Sequence, residues 1–384
     1  MITSFIVYPF MIYSMFMLFR IHKVSCDGRF LKVGANNKYR INATIAVLIF
    51  AFFTGVRWDV GIDQLSYLEY YNTLSYSDSF IRDDMEIGFV KFMKLFSGLG
   101  LSSVVFFAVV GLIQLCCTLT VFRNEKFVIP FFCIGLICGG IFFSWCNGIR
   151  QQLVVSIFLY VSSYYLLYKK IVPCLVLIFL LTFIHRSAVF LFLLVPLMWI
   201  DFEEFFIKRK WQYLLLFFAL ILSQLSLWES LLSYLDVVFQ FIGYDDRYNS
   251  DVLMRVGDRT VNFGPRRIVF LLFDILIIYY SNRMRKFYPS KYFGFSYTLF
   301  LVLILIQPLF MNNLAFSRFV DYFVIYRIIV LSYLMCYLFY IRKESTVIIG
   351  CILVLLLFSH LSMQIYLDKG NHTDCIRYEF FWNK

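Results

Sequence analysis

The run Arg57-Trp58-Asp59-Val60-Gly61-Ile62-Asp63-Gln64-Leu65-Ser66-Tyr67 gathers charges of both signs, a glycine able to turn tightly, and a tyrosine four residues after Asp63. Such a run places several polar groups at one boundary, where they either serve chemistry or pair among themselves as a cap. A second group is Asn147-Gly148-Ile149-Arg150-Gln151-Gln152, a short turn leading into a helix that starts with polar side chains. The helix macrodipole opposes a cation at that end, so Arg150 needs a negative partner. A bound phosphate, gripped by backbone N–H groups and the guanidinium fork, supplies one; so does an Asp of the 57–86 loop. The third group, His185-Arg186-Ser187, sits between two apolar runs, where an ionisable pair is costly and points to function. Snorkelling accounts for Arg186 but less well for His185, which makes His185 the best single candidate for proton transfer or phosphate contact.

The elements that must hold these groups are membrane spans. The chain is 61% hydrophobic and 15% charged, with a mean hydropathy of +0.77, a balance a bilayer accepts and a water-soluble domain cannot hide. Apolar runs fit to cross a hydrocarbon core of about 30 Å occur at 2–19, 41–56, 101–122, 127–146, 151–168, 171–184, 188–200, 211–227, 267–280, 293–311, 319–341 and 346–363, twelve in all. The fold class expected is therefore all-α: one integral membrane domain over residues 1–384, a bundle of about twelve transmembrane helices. The runs at 171–184, 188–200 and 267–280 are short, and the first two could form a broken or re-entrant pair around His185. Alternating sides puts 19 basic and 6 acidic residues on one face and 16 basic and 18 acidic on the other. The positive-inside rule makes the first face cytoplasmic and places both termini outside.

All three polar groups then fall outside, as do two long segments, 57–100 and 228–266. Each carries an amphipathic stretch, around Ile87–Phe96 and Leu231–Phe239, that either lies in the interface plane or forms a lid. Arg255, Arg259, Arg266, Arg267 and Arg318 follow on the same side, with Arg327 inside a helix. Several arginines where positive charge is disfavoured imply an anionic ligand, unless the equally numerous acids neutralise them. Asp274 is expected to pair with a neighbouring helix.

Other classes are disfavoured. The net charge of +11 would suggest nucleic acid in a soluble protein, but divided by membrane side it carries no such meaning, and no nucleic acid is expected. Eight of the ten cysteines lie in apolar runs, while Cys26 and Cys375 fall on opposite sides, so neither a disulfide framework nor a zinc site is expected. His372 has no metal-ligand spacing around it, and no metal or cofactor is expected. The start of the chain reads as a retained first helix. Aromatic residues reach 21%, more than interfacial belts require, so some line a cavity.

Gly55-Val56-Arg57, Val60-Gly61-Ile62-Asp63 with Tyr67, Glu86-Ile87-Gly88-Phe89, Gly148-Ile149-Arg150-Gln151, His185-Arg186-Ser187-Ala188, and Arg318 with Tyr322 together resemble, in order, the EpsG-type branch of the Wzy polysaccharide polymerases. The resemblance extends from Gly55 to about Tyr340. It departs at Ile62, where the family usually has Thr, and the 228–266 segment shows no family pattern. What it implies is a bacterial inner-membrane enzyme resembling metal-independent glycosyltransferases of the GT-C type. That enzyme joins undecaprenyl diphosphate-linked oligosaccharide repeats, as donor and acceptor, into O-antigen or capsule on the periplasmic face, in membrane lipid and with a chain-length regulator as a further partner. Arg150, Arg186 and Arg318, with Arg267 or Arg327, would hold the diphosphate; Arg57, Tyr67, Gln151 and Tyr322 would contact substrate. Asp59, Asp63, Glu86 or His185 would serve the attacking hydroxyl. An O-antigen ligase-like transferase would use the same donor, whereas a lipid-linked glycan flippase would need charges along a path across the membrane. Intramembrane charges are few, mainly Asp274 and Arg327, which argues against such a path.

Overall fold

A computed structural model of the chain describes every residue except 21–23, 28–29, 34–36, 77–84, 224–263, 311–313, 342, 369–374 and 384. Each of the twelve apolar runs falls on helix within the described residues. Five helices are long and apolar enough to cross a membrane, or six if one bent pair counts as a single span. The first, α1 (Ile2–Phe19), shows why water does not suit this surface: Tyr8, Met11 and Met15 face inward, while Ile6, Phe10 and Tyr13 are exposed. A helix apolar on both faces needs protein on one and lipid on the other.

The chain divides into two compact units, Met1–Ile200 with Met335–Lys384, and Asp201–Leu334. In the first unit, α2 (Asn37–Gly55) packs on α1 and on α5 (Ser103–Leu119), and α5 packs on α8 (Ile149–Tyr164). The run at 127–146 is not straight: α6 (Ile129–Cys138) and α7 (Ile141–Asn147) meet at 59°, with Gly140 at φ +88 between them. The short runs on either side of His185 become α9 (Ile171–Thr182) and a 3₁₀ helix (Arg186–Trp199), packed on each other. Basic residues of one expected loop pack on aromatic rings in this unit. Lys126 lies over the Tyr39 ring at 5.5 Å, and Arg123 over Tyr164 at 4.6 Å.

Within 57–100, two short helices cover one end of this unit: α3 (Gln64–Tyr76) and α4 (Ile87–Gly98). One face of α4 packs inward, while Ile87 and Leu95 stay exposed. Its Phe89, Val90 and Met93 are buried with Tyr67, Tyr71, Phe106 and Leu153 in one apolar cluster. The second amphipathic stretch, at Leu231–Phe239, lies outside the described residues. The first unit is completed by the hairpin β1 (Val24–Asp27) and β2 (Phe30–Val33), by α14 (Glu344–Leu367), which packs on α6, and by the chain's end. There β4 (Glu379–Phe380) pairs antiparallel with β3 (Arg57–Trp58).

The second unit holds α10 (Arg209–Leu222), α11 (Pro265–Phe287) and α12 (Lys291–Phe310); α13 (Leu314–Tyr340) runs on into the first. Two of its buried tyrosines find partners within the unit, as apolar surroundings favour. The Tyr297 hydroxyl donates to Gln212 Oε1 at 2.7 Å, and that of Tyr288 to the Tyr333 carbonyl at 3.0 Å.

Candidate functional site

Glu86 is the hinge of the site. It precedes the first turn of α4, where the helix dipole favours a carboxylate, yet its side chain makes no cap to its own helix. Instead Oε2 accepts from Arg150 Nη1 at 2.5 Å and Oε1 accepts from the backbone N–H of Arg186 at 3.0 Å. One carboxylate therefore ties the start of α8 to the start of the 3₁₀ helix. The pair is largely buried, with 17% of the Arg150 side chain and 9% of the Glu86 side chain exposed. Arg150 Nε donates to the Tyr67 hydroxyl at 3.1 Å, so α3 joins the same cluster. Burial pushes the Tyr67 phenol up, against the pull of the Arg150 charge, and Tyr67 stays neutral at physiological pH.

His185 is buried beside this pair in the chain and caps the same 3₁₀ helix: its Nδ1 accepts from the Ser187 backbone N–H at 3.2 Å. A backbone N–H can only donate, so Nδ1 carries the lone pair, and the Ser187 hydroxyl at 2.7 Å donates to it as well. The neutral ring then keeps its proton on Nε2. As built, His185 is a donor through Nε2, not a base there.

Two glycines make these junctions fit. Gly88 N–H donates to the Phe183 carbonyl at 2.8 Å, and a Cβ on Gly88 would lie 2.5 Å from that oxygen. Only glycine lets α4 sit this close to the turn bearing His185. Gly61, at φ +95, brings its backbone against the α7–α8 junction, where a Cβ would meet Cys146 at 2.6 Å. Next to it the Asp63 N–H donates to Asn147 Oδ1 at 3.1 Å. The loop from Arg57 to Asp63 is further shaped by Gln64, buried, whose amide donates to the Arg57 carbonyl at 2.8 Å and accepts from Val60 N–H at 2.8 Å.

The candidate residues of the first unit are thus brought together in part. Tyr67, Glu86, Arg150 and the Arg186 backbone form one hydrogen-bonded cluster, with His185 adjoining it and Gln151 buried at the start of α8. The Arg186 side chain and Asp63 are exposed. Asp59 sits in the left-handed region at φ +54 on the same loop. Arg57 turns inward: it is 2% exposed, lies over the Phe107 ring at 4.9 Å, and donates to the Thr54 carbonyl. Glu86, at the end of the loop, is an acid that Arg150 finds.

The other candidates belong to the second unit. Arg327 forms a two-pronged ion pair with Asp274, at 2.8 and 2.9 Å, and also donates to Gln307. Arg267 is half-buried near the start of α11; Arg318 is half-buried and Tyr322 buried on α13. Arg255, Arg259 and His372 lie outside the described residues. Among the described residues no group of three or more His, Cys, Asp or Glu side chains is placed to hold a metal ion.

The candidate runs include Asn147 and Gln64 without a role for either, and the sequence does not connect the residues after Cys375 to this region. Asn147 had a signal, an amide directly before the turn glycine; the tail had none beyond its aromatic density. The family model described as the EpsG family matches residues 40–380. No curated protein matches the chain, and no solved structure does.

Proposed function

The chain belongs to the EpsG family, and from that premise we propose that it is a polysaccharide polymerase-like glycosyltransferase of the bacterial inner membrane. Its substrates are undecaprenyl diphosphate-linked oligosaccharide repeats, joined on the periplasmic face. A hydroxyl of the acceptor repeat attacks the anomeric carbon of the lipid-linked donor chain. The new glycosidic bond forms as the bond from that carbon to the diphosphate oxygen breaks, and undecaprenyl diphosphate leaves. The observation that carries this reading is the convergence of Tyr67, Glu86, Arg150 and the His185-Arg186-Ser187 turn, drawn from four separate stretches of chain, at one end of the first unit.

In this reading Arg150 and Arg186 meet the diphosphate as negative charge develops on it, which a fixed guanidinium does without reorganisation. Glu86 aims Arg150. His185 gives its Nε2–H to a phosphate or sugar oxygen. The leaving group is already activated, so the acceptor proton needs only a weak base, and Asp59 and Asp63 on the Gly61 loop are the carboxylates assigned to that step.

The test uses a strain lacking the gene, complemented with variants, and reads surface glycan on a gel. Loss of the polymerase leaves single repeats on the lipid core; loss of a ligase leaves none; loss of a flippase traps the lipid-linked repeat inside. Arg150→Ala should abolish long chains while the protein still inserts, and Arg150→Lys, which keeps the charge but not the fork to Tyr67 and Glu86, should restore them poorly. Normal chain lengths from Arg150→Ala would remove Arg150 from the site.

A further inference from the structure

The second unit carries a hollow of about 560 Å³ lined by Phe206, Lys208, Arg209, Lys210, Tyr213 and Asn282. It joins two segments, the start of α10 and the end of α11, that charge distribution assigns to the cytoplasmic face. Three successive cations stand where α10 begins, with no acidic residue in the first turn and no side-chain cap. Among the described residues none of the three forms an ion pair with a carboxylate. Asp201 accepts from the Glu203 N–H at 2.9 Å, and the charges of both act on Arg285. The helix dipole opposes cations at this end, so the cluster is at its most stable with an anion among them.

The surfaces leading away from the hollow say what the anion is attached to. Along α10, Trp211, Leu214, Phe218 and Ile221 are exposed; along α11, so are Ile268, Leu272, Ile275 and Tyr279. Both sets recur at three- and four-residue spacing, so each is one stripe on its helix. The two helices lie side by side, linked by Arg209 Nη1 to the Tyr279 carbonyl at 3.3 Å and Tyr213 hydroxyl to the Ile275 carbonyl at 3.5 Å. The α10 stripe begins at Trp211, next to Lys210, and the α11 stripe ends at Tyr279, one turn before Asn282.

We infer that this hollow binds the phosphate headgroup of an anionic glycerophospholipid, whose acyl chains lie along the exposed stripes of α10 and α11. A free phosphate would satisfy the cations but leave the stripes unused; a zwitterionic lipid brings its own ammonium to a site already crowded with cations. Basic pockets at the cytoplasmic ends of spanning helices favour such headgroups for the same electrostatic reason. The inference stands apart from the proposed glycosyl transfer and needs only the membrane setting.

The test is native mass spectrometry of the purified full chain in detergent, with phosphatidylglycerol and phosphatidylcholine of matched acyl chains. The wild type should retain several-fold more phosphatidylglycerol, and the Lys208→Gln/Arg209→Gln/Lys210→Gln variant should fall to the phosphatidylcholine level. Lys91→Gln/Lys94→Gln, which removes cations elsewhere, should behave as wild type. Equal retention of both lipids by the wild type, or an undiminished preference in the triple variant, overturns the proposal. So does displacement of phosphatidylglycerol by millimolar inorganic phosphate, which would show that the hollow reads phosphate without the lipid. Should the triple variant fail to fold, phosphatidylglycerol with a photoreactive headgroup tests the wild type. Crosslinks within residues 206–213 support the site, and crosslinks confined elsewhere refute it.

Discussion

Replacing Glu86 with Gln keeps the shape of the side chain and removes its charge, and the geometry makes the consequence calculable. Both groups that Glu86 holds are donors, Arg150 Nη1 at 2.5 Å and the Arg186 N–H at 3.0 Å. An amide has one acceptor oxygen and one donor NH₂, so in either orientation the NH₂ faces a donor and one bond is lost. With the two side chains 17% and 9% exposed, the loss of a charge-assisted bond is felt nearly in full, about 2 kcal/mol. If Glu86 aims Arg150 in the transition state, that figure corresponds to a rate about 30-fold lower. The assay is chain extension by the purified protein on a defined lipid-linked repeat, with thermal stability in detergent measured alongside. A Glu86/Arg150 double-substitution cycle should return a coupling of about 1–3 kcal/mol. Wild-type rate and chain length from Glu86→Gln would refute the assignment of Arg150's orientation to Glu86.

Substitutions at His185 separate its two nitrogens: Asn can accept from Ser187 as Nδ1 does but presents no Nε2–H, and Gln does the reverse. His185→Asn should therefore keep stability and lose activity, while His185→Gln should lose about 1 kcal/mol of capping in a thermal melt yet retain part of the rate. Gly61→Ala and Gly88→Ala should each cost about 1–3 kcal/mol in the same melt, because a Cβ would meet Cys146 at 2.6 Å and Phe183 at 2.5 Å; Gly98→Ala, with nothing within 4 Å, should be near neutral. Asp274→Ala leaves the Arg327 guanidinium, 5% exposed, without its carboxylate and should cost about 3–5 kcal/mol, whereas Asp274→Leu with Arg327→Met should recover most of that stability.

How far the sequence reveals this arrangement depends on the range of each signal. Apolar runs are local and report helices directly, so every run lands on one, including the short pair that flanks His185. The bend between α6 and α7 was less legible, because Gly139 and Gly140 interrupt a run whose hydropathy does not change across them. The need of Arg150 for an anion follows from its place at a helix start, but the choice of Glu86 does not, since that depends on how α4 docks. Gly88 encodes the docking, and its meaning appears only once the Phe183 carbonyl is seen against it. The Arg57 fragment marks a junction rather than an exposed charge: its guanidinium turns inward to Phe107 and Thr54. Composition near a membrane boundary cannot distinguish these two fates of an arginine.

The end of the chain is where sequence order misleads most, because residues 375–383 are far from Arg57 in sequence and joined to its loop in space. The Gly61 N–H donates to the Cys375 carbonyl at 2.8 Å, Phe381 N–H to the Val56 carbonyl at 2.9 Å, and Phe380 and Glu379 pair with Arg57 and Trp58. The tail is itself pinned: Asp368 Oδ2 accepts from the N–H groups of Ile376 and Arg377 at 2.6 and 2.8 Å, and Tyr378 N–H donates to Ser4 Oγ at 2.8 Å. The loop bearing Asp59 and Asp63 is thus clamped from both sides, by Asn147 at the α7–α8 turn and by the tail. A loop of mixed charge with a left-handed Asp59 and a left-handed Gly61 has little reason to hold one conformation by itself. Backbone pairing to a distant strand supplies what its own residues cannot, which is why the polar groups of this site can be set by hydrogen bonds rather than by a core.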